Sequence, residues 1–190
     1  NKYVMVYNLH MNNSKLEAYL CFSQVVGIGP VTFTQLISQF GTVEDAYTAT
    51  EVQLENILRR NILQDFIEFR YTFNPTELLE KYYQDGITIL TREDSRFPQN
   101  LREISDAPIC LYVKGDLKNF DFVDEQYIAV VGTRRPSPYG EEVARKFATE
   151  LALQKVVIVS GLALGIDAIA HTAALDVGGK TIAFMGCGVN

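Results

Sequence analysis

Residues 127–185 read YIAVVGTRRPSPYGEEVARKFATELALQKVVIVSGLALGIDAIAHTAALDVGGKTIAFM, and the alternation within this stretch decides the fold. Residues 127–131 form a short apolar run of the kind a buried strand requires, residues 132–138 a loop, and residues 139–154 a helix with Val143, Phe147 and Leu151 on one face. The same order returns at once, with a strand at 156–159, a loop at 160–165, a helix at 166–176 and a third strand at 181–185. Strands this short and apolar, alternating with helices, imply a mostly parallel sheet with right-handed crossovers, that is, a Rossmann-like α/β domain. Such sheets generally have more than three strands, so the domain is expected to continue beyond Asn190.

Ligands of open parallel sheets sit at the carboxyl ends of the strands, beside helix N-termini. Three glycine-bearing loops occupy that edge: 132–137, 160–165 and 186–188. Glycine lets the backbone approach a ligand closely, and the helix starts behind the first two loops carry unpaired N–H groups. The pattern describes an anion cradle. Its first loop, Gly132-Thr133-Arg134-Arg135-Pro136-Ser137, lacks the glycine spacing of a dinucleotide site. Arg134, directly after Gly-Thr at a strand tip, instead offers a planar five-donor fork suited to phosphate oxygens, and it can also stack on a base. Arg135 fits a ligand or a surface pair equally. Ser137 suits the N-cap of the next helix as well as a ligand contact. Arg145 and Lys146 each follow a glutamate by four residues, Glu141 and Glu142, as ordinary helix-surface pairs do.

In the second loop the candidates are Ser160, Gly161, Gly165 and Asp167. Asp167 lies where the helix begins, which favours an acid electrostatically, and His171 one turn on is placed to pair with it. An Asp/His pair raises the thought of an enzyme, yet no nucleophile accompanies it: Ser160 lacks the G-x-S-x-G elbow and Cys187 has no base in reach. Asp167 therefore reads as a residue that positions its loop, and no catalytic residue is expected. No metal site is expected either, because the chain has two histidines and one of them, His10, lies in a weakly informative leader. Nothing in the motifs calls for a cofactor.

Upstream the texture is different. Residues 14–26 and 31–40 read as amphipathic helices around Gly27-Ile28-Gly29-Pro30, and further short helices are expected near 51–58, 62–71 and 76–84. The Gly-Ile-Gly turn is like that of a helix-hairpin-helix, whose amides can hold a DNA phosphate. No Lys or Arg occurs between Lys15 and Arg59, however, so the turn is read as structural. Phe66, Phe69, Tyr71, Tyr82 and Tyr83 have the spacing of a core stripe. Strands are expected at 87–90 and 109–113, within the segment DSRFPQNLREISDAPICLYVKG (94–115). The divisions expected are a leader or remnant at 1–13, with Met11 nearer the natural start; a helical domain at 14–85; a connector at 86–126; and the first part of the Rossmann-like domain at 127–190.

Composition bounds the rest. The 190 residues are 47% hydrophobic and 21% charged, as in a globular protein of one large or two small domains. No run approaches the roughly 18–20 apolar residues of a membrane span. Cys21, Cys110 and Cys187 are widely separated and odd in number, which fits a reducing cytoplasm better than a disulfide framework. The net charge of −6 argues against a polyanionic partner until its distribution is considered. Residues 126–190 carry six Lys or Arg against five Asp or Glu, whereas residues 1–125 carry eleven against eighteen. A polyanion would choose the C-terminal part.

Taken together, IAVVGTRRPSPYG (128–140), IVSGLALGIDAIAHTAAL (158–175) and TIAFMGCGVN (181–190), with the connector motif before them, resemble the DNA-processing protein A family, DprA, also called Smf. The resemblance covers about residues 14–190 and implies a sterile-alpha-motif-like (SAM-like) or helix-hairpin-helix-like domain ahead of the Rossmann-like one. It further implies a bacterial cytoplasmic protein that binds incoming single-stranded DNA in natural transformation, protects it, loads the RecA recombinase onto it and forms a homodimer. Carried onto this chain, Gly132, Thr133, Arg134 and Ser137 belong to the DNA-binding pocket, and Ser160, Gly161, Gly165 and Asp167 to its neighbouring loop. The family's later basic contacts and much of its dimer surface lie in a half-sheet this chain lacks. The competing expectation is a nucleoside-phosphate-processing enzyme like the lysine-decarboxylase-like phosphoribohydrolases, whose further glycine-rich loop and catalytic glutamate do not occur here.

Overall fold

The computed structural model describes residues 13–115, 117 and 125–189. Nearly all of the expected leader, with His10 and Met11, and much of the end of the expected connector lie outside the described residues. The chain divides into two compact units, Asn1–Gly115 and Asp116–Asn190.

In the first unit, α1 (Asn13–Gln24), α2 (Pro30–Phe40), α3 (Val43–Thr48), α4 (Glu51–Leu54), α5 (Arg60–Thr72) and α6 (Pro75–Gln84) precede β1 (Ile87–Thr91), α7 (Gln99–Arg102) and β2 (Cys110–Lys114). The helices close on an aromatic centre. Phe22 stacks on Phe66 at 5.0 Å between centroids, and Phe33 and Tyr47 meet Phe22 edge-on. Phe22, Phe33 and Phe66 are fully buried, which contributes about 1.5–3 kcal/mol each. The Gly-Ile-Gly turn serves this core: Ile28 is buried, and Gly27, at φ +99°, packs so tightly on Ile62 that a Cβ would lie 2.8 Å from it. α3 was not expected from periodicity. It is set by Thr42, whose hydroxyl accepts the Asp45 N–H at 3.0 Å as an N-cap.

β1 and β2 pair antiparallel with each other, from Ile87↔Lys114 to Thr91↔Cys110. The Tyr112 hydroxyl reaches Ser23 at 2.7 Å and Gln24 at 2.9 Å on α1, so the hairpin is part of the first unit. Arg92, just past β1, donates to the carbonyls of Ala107 and Pro108 and lies 5.0 Å over the Phe33 ring. The expected aromatic stripe holds for Phe66 alone as a fully buried member. Tyr71 and Tyr83 face solvent, because each is one or two residues from a packed neighbour and so points to another side of its helix.

The second unit is the α/β domain: β3 (Tyr127–Ala129), α8 (Pro138–Leu153), β4 (Val157–Ser160), α9 (Ile166–Asp176) and β5 (Thr181–Ala183). The three strands are parallel in the order β3-β4-β5, with Ile128 opposite Ile158 and Ile158 opposite Thr181. Pairing runs slightly past the strand ends, through Val130 N–H to Val159 O and Phe184 N–H to Ser160 O, both 2.9 Å. α8 and α9 share one small core on β4, made of Ala148, Ala152, Ile158, Ala170, Ala173 and Ala174.

The face of α8 departs from the expected one at Phe147, whereas Leu151 packs beside the core and Val143 is half-buried. Ala144, Ala148 and Ala152 are buried, while Phe147 is 59% exposed. Both stripes repeat every four residues, and close approach of two helices selects the smaller one. Arg145 also departs from its expected pairing with Glu141, since it lies 3.7 Å from Asp176 on α9. Among the described residues, no helix is long and apolar enough to cross a membrane. Cys21 and Cys110 are buried free thiols, and Cys187 is an exposed one.

Candidate nucleic-acid interface

The three expected loops do meet at one edge of the parallel sheet, and glycines let the first two interlock. A Cβ on Gly132 would lie 2.7 Å from Ile166, the first residue of α9. Gly165 sits at φ +84°, and a Cβ there would fall 2.4 Å from the Thr133 carbonyl oxygen and 2.8 Å from the Arg134 backbone. The Thr133 carbonyl in turn accepts the Ile166 N–H at 3.2 Å, capping α9 from the neighbouring loop. The Thr133 hydroxyl accepts the Arg135 N–H at 3.2 Å. Ser137 is the N-cap of α8, its hydroxyl accepting from Gly140 at 3.2 Å and its carbonyl from Glu141 at 3.0 Å.

This backbone lattice carries Arg134 and Arg135 outward. Both are exposed, and neither guanidinium has a hydrogen bond or ion pair with any described residue. Two adjacent guanidiniums with no partner among the described residues offer planar donor forks of the kind that suits phosphate oxygens.

The second loop is built differently from what its glycines imply. The Ser160 hydroxyl is buried and donates to Val130 O at 2.7 Å, tying β4 to β3. The Asp167 carboxylate is buried as well and accepts from the N–H groups of Gly161 at 3.1 Å and Ala163 at 3.4 Å. Amides that would have formed the cradle are thus turned inward, to a carboxylate. Between them Leu162 is held at φ +57°, a region that costs a side-chain-bearing residue roughly 1–2 kcal/mol. Leu162 and Leu164 both point into solvent. Sequence reasoning overlooked them, since leucines in an apolar run read as core.

His171 does not pair with Asp167 by a hydrogen bond. Its Nδ1 lies 2.5 Å from the Thr181 hydroxyl, which donates to Ile158 O at 2.9 Å. The hydroxyl proton being committed, the imidazole donates from Nδ1, and Nε2 is left buried without a partner. Burial pushes the His171 pKa below its ordinary value, and the nearby Asp167 charge only partly opposes this. At the third tip, Gly186, Cys187 and Gly188 are exposed. Among the described residues no group of three or more His, Cys, Asp or Glu is placed to hold a metal ion.

The fold is thus an α/β protein with a Rossmann-like parallel sheet, whose strand-tip loops are locked by their own hydrogen bonds and carry two guanidiniums that pair with no described residue. The comparisons narrow this. Residues 88–190 match the family described as DNA recombination-mediator protein A, and the chain belongs to that family. Protein Smf of Synechocystis sp. is 36% identical over 183 residues, 95% of this chain and 46% of the relative. The DNA processing protein DprA of Streptococcus pneumoniae is 38% identical over 146 residues, 72% of this chain and 50% of the relative. The X-ray structure of DprA from Streptococcus pneumoniae superposes with a TM-score of 0.70 at 29% identity, covering 94% of this chain and 59% of that one. The chain spans about half the length of the curated relatives it matches.

Proposed function

We propose that the chain binds single-stranded DNA at the carboxyl edge of its parallel sheet, with Arg134 and Arg135 on the phosphates and no bond made or broken. In the longer protein this grip serves natural transformation: incoming DNA is protected in the cytoplasm by a homodimer and handed to the RecA recombinase. The observation that carries the reading is the pair of guanidiniums with no partner among the described residues, at the edge where α/β sheets receive ligands. Membership of a recombination-mediator family supports it. So does the charge distribution, which puts the surplus of acids in residues 1–125. In this reading Gly132, Gly165 and Asp167 shape the loops, Thr133 and Ser137 hold the backbone around the arginines, and Ser160 fastens the strand ends.

Arg134→Ala in the natural full-length protein tests it. A charge-assisted contact to phosphate is worth about 1.5–3 kcal/mol, so fluorescence anisotropy should show roughly 10- to 100-fold weaker binding of a single-stranded oligonucleotide. The melting temperature should hardly change, because the side chain is exposed. Binding equal to that of the wild type would remove Arg134 from the interface.

A further inference from the structure

The first unit carries a groove that the grip on DNA does not use. It encloses about 410 Å³ and is lined by Thr34, Gln35, Ser38 and Gln39 on α2 and by Asn56 and Ile57 in the turn after α4. No charged side chain lines it. Gln35, Ser38, Gln39 and Asn56 are exposed and have no hydrogen-bond partner among the described residues. The chain that lines the groove at Asn56 and Ile57 then runs through two cations, Arg59 and Arg60, whose α-carbons lie within about 7 Å and 11 Å of that of Ile57. Two residues further on, Ile62 packs on Gly27, so the pair sits between the groove and the turn ahead of α2. Both arginines are exposed, and neither pairs with a described residue. They occupy the N-cap and the first position of α5, a helix with no side-chain cap and no acid in its first turn. Cations there oppose the helix dipole, and arginine gives none of the capping that Asp, Asn or Ser would. The helix is thus weakened where two guanidiniums are displayed, a local conflict that an anion from outside would relieve.

We propose that this groove receives an extended peptide segment of a partner protein, its main chain on Gln35, Gln39 and Asn56 and an acidic side chain or terminal carboxylate on Arg59 and Arg60. A carboxamide both donates and accepts, which matches the N–H and C=O groups of an extended chain. The guanidinium fork matches a carboxylate. Charge decides against a nucleic-acid strand here. Arg59 and Arg60 are the only Lys or Arg in residues 16–69, a stretch that also carries Glu44, Asp45, Glu51 and Glu55. Two cations among those acids hold one or two anionic groups, not a polyanion that needs a cation for each phosphate it lays down. The site is separate from the strand tips of the α/β unit, so it stands or falls independently of the grip by Arg134.

Selection from a random dodecapeptide library on the natural full-length protein tests it. The enriched peptides should be richer in Asp and Glu than the library, and synthetic copies with a fluorescent label should bind in anisotropy. The double variant Arg59→Asp, Arg60→Ser should weaken that binding about tenfold or more, the loss of charge-assisted contacts. Gln35→Ala with Asn56→Ala should weaken it several-fold. The melting temperature of the arginine variant should rise, because aspartate caps α5 and the opposing charges are gone; a merely structural pair would change stability and leave peptide binding as it was. The same variant should bind oligothymidylate like the wild type. No enrichment, enrichment without acids, or peptides that bind the arginine variant normally would each overturn the proposal. A tenfold loss of oligothymidylate binding in that variant would assign the arginines to nucleic acid and overturn it as well. So would peptide binding that persists in Arg59→Asp, Arg60→Ser and vanishes in Arg134→Ala, Arg135→Ala, which would move the site to the strand tips.

Discussion

Gly165 shows how much of this interface is decided by single atoms. Its positive φ, and the 2.4 Å that would separate a Cβ from the Thr133 oxygen, leave no room for a side chain. Gly165→Ala should therefore destabilise the chain by about 1–3 kcal/mol in urea unfolding followed by circular dichroism. Gly186→Ala, with open space around it, should be close to neutral; equal effects would mean that the loops are not interlocked. His171 makes a pH prediction with a definite sign. Its folded-state pKa lies below the ordinary 6.5, so the folded form binds protons less readily than the unfolded one. Stability from this group is fully present above about pH 6.5 and is lost as pH falls through the folded value. Wild type should lose more stability between pH 7.5 and pH 5.5 than His171→Gln does, and an identical decline would contradict this. At this scale the sequence was only partly legible. It marked Arg134 by its place after Gly-Thr, but the direction of the Gly161 and Ala163 amides depends on Asp167 folding back onto them, which no spacing rule reveals.

Elements were easier to read than their faces. Strand, loop and helix alternate visibly from Tyr127 onward, because runs such as Val157–Ser160 are too short and too apolar for anything but buried strands. The order β3-β4-β5 follows from short right-handed crossovers between neighbouring strands. What periodicity alone cannot choose is which of two apolar stripes on α8 turns inward, since Val143, Phe147 and Leu151 repeat every four residues as do Ala144, Ala148 and Ala152. Packing against α9 buries the alanines with Leu151 beside them and leaves Phe147 outside. Accordingly, Ala148→Leu should cost about 1–3 kcal/mol by overpacking. Phe147→Ala should stay within about 0.5 kcal/mol. A reversed order in urea midpoints would restore the bulky stripe as the buried one. The short helices α3 and α7 escaped sequence reading for a related reason: six and four residues complete too few turns to show a period.

Over the whole molecule, charge and chemistry point the same way. The surplus of acids falls in residues 1–125, while residues 126–190 are nearly balanced, and Arg134 and Arg135, whose guanidiniums pair with no described residue, lie in that second stretch. The family is one of recombination mediators, and the architecture puts its loops where a polyanion can lie along the strand tips. The most direct measurement is a salt titration of single-stranded DNA binding by the natural full-length protein, wild type against Arg134→Ala, plotted as log affinity against log salt concentration. One phosphate contact fewer should flatten the slope by about one unit while lowering affinity throughout. Superimposable lines would mean that the guanidinium at the tip of β3 touches no phosphate, contradicting the account at its centre.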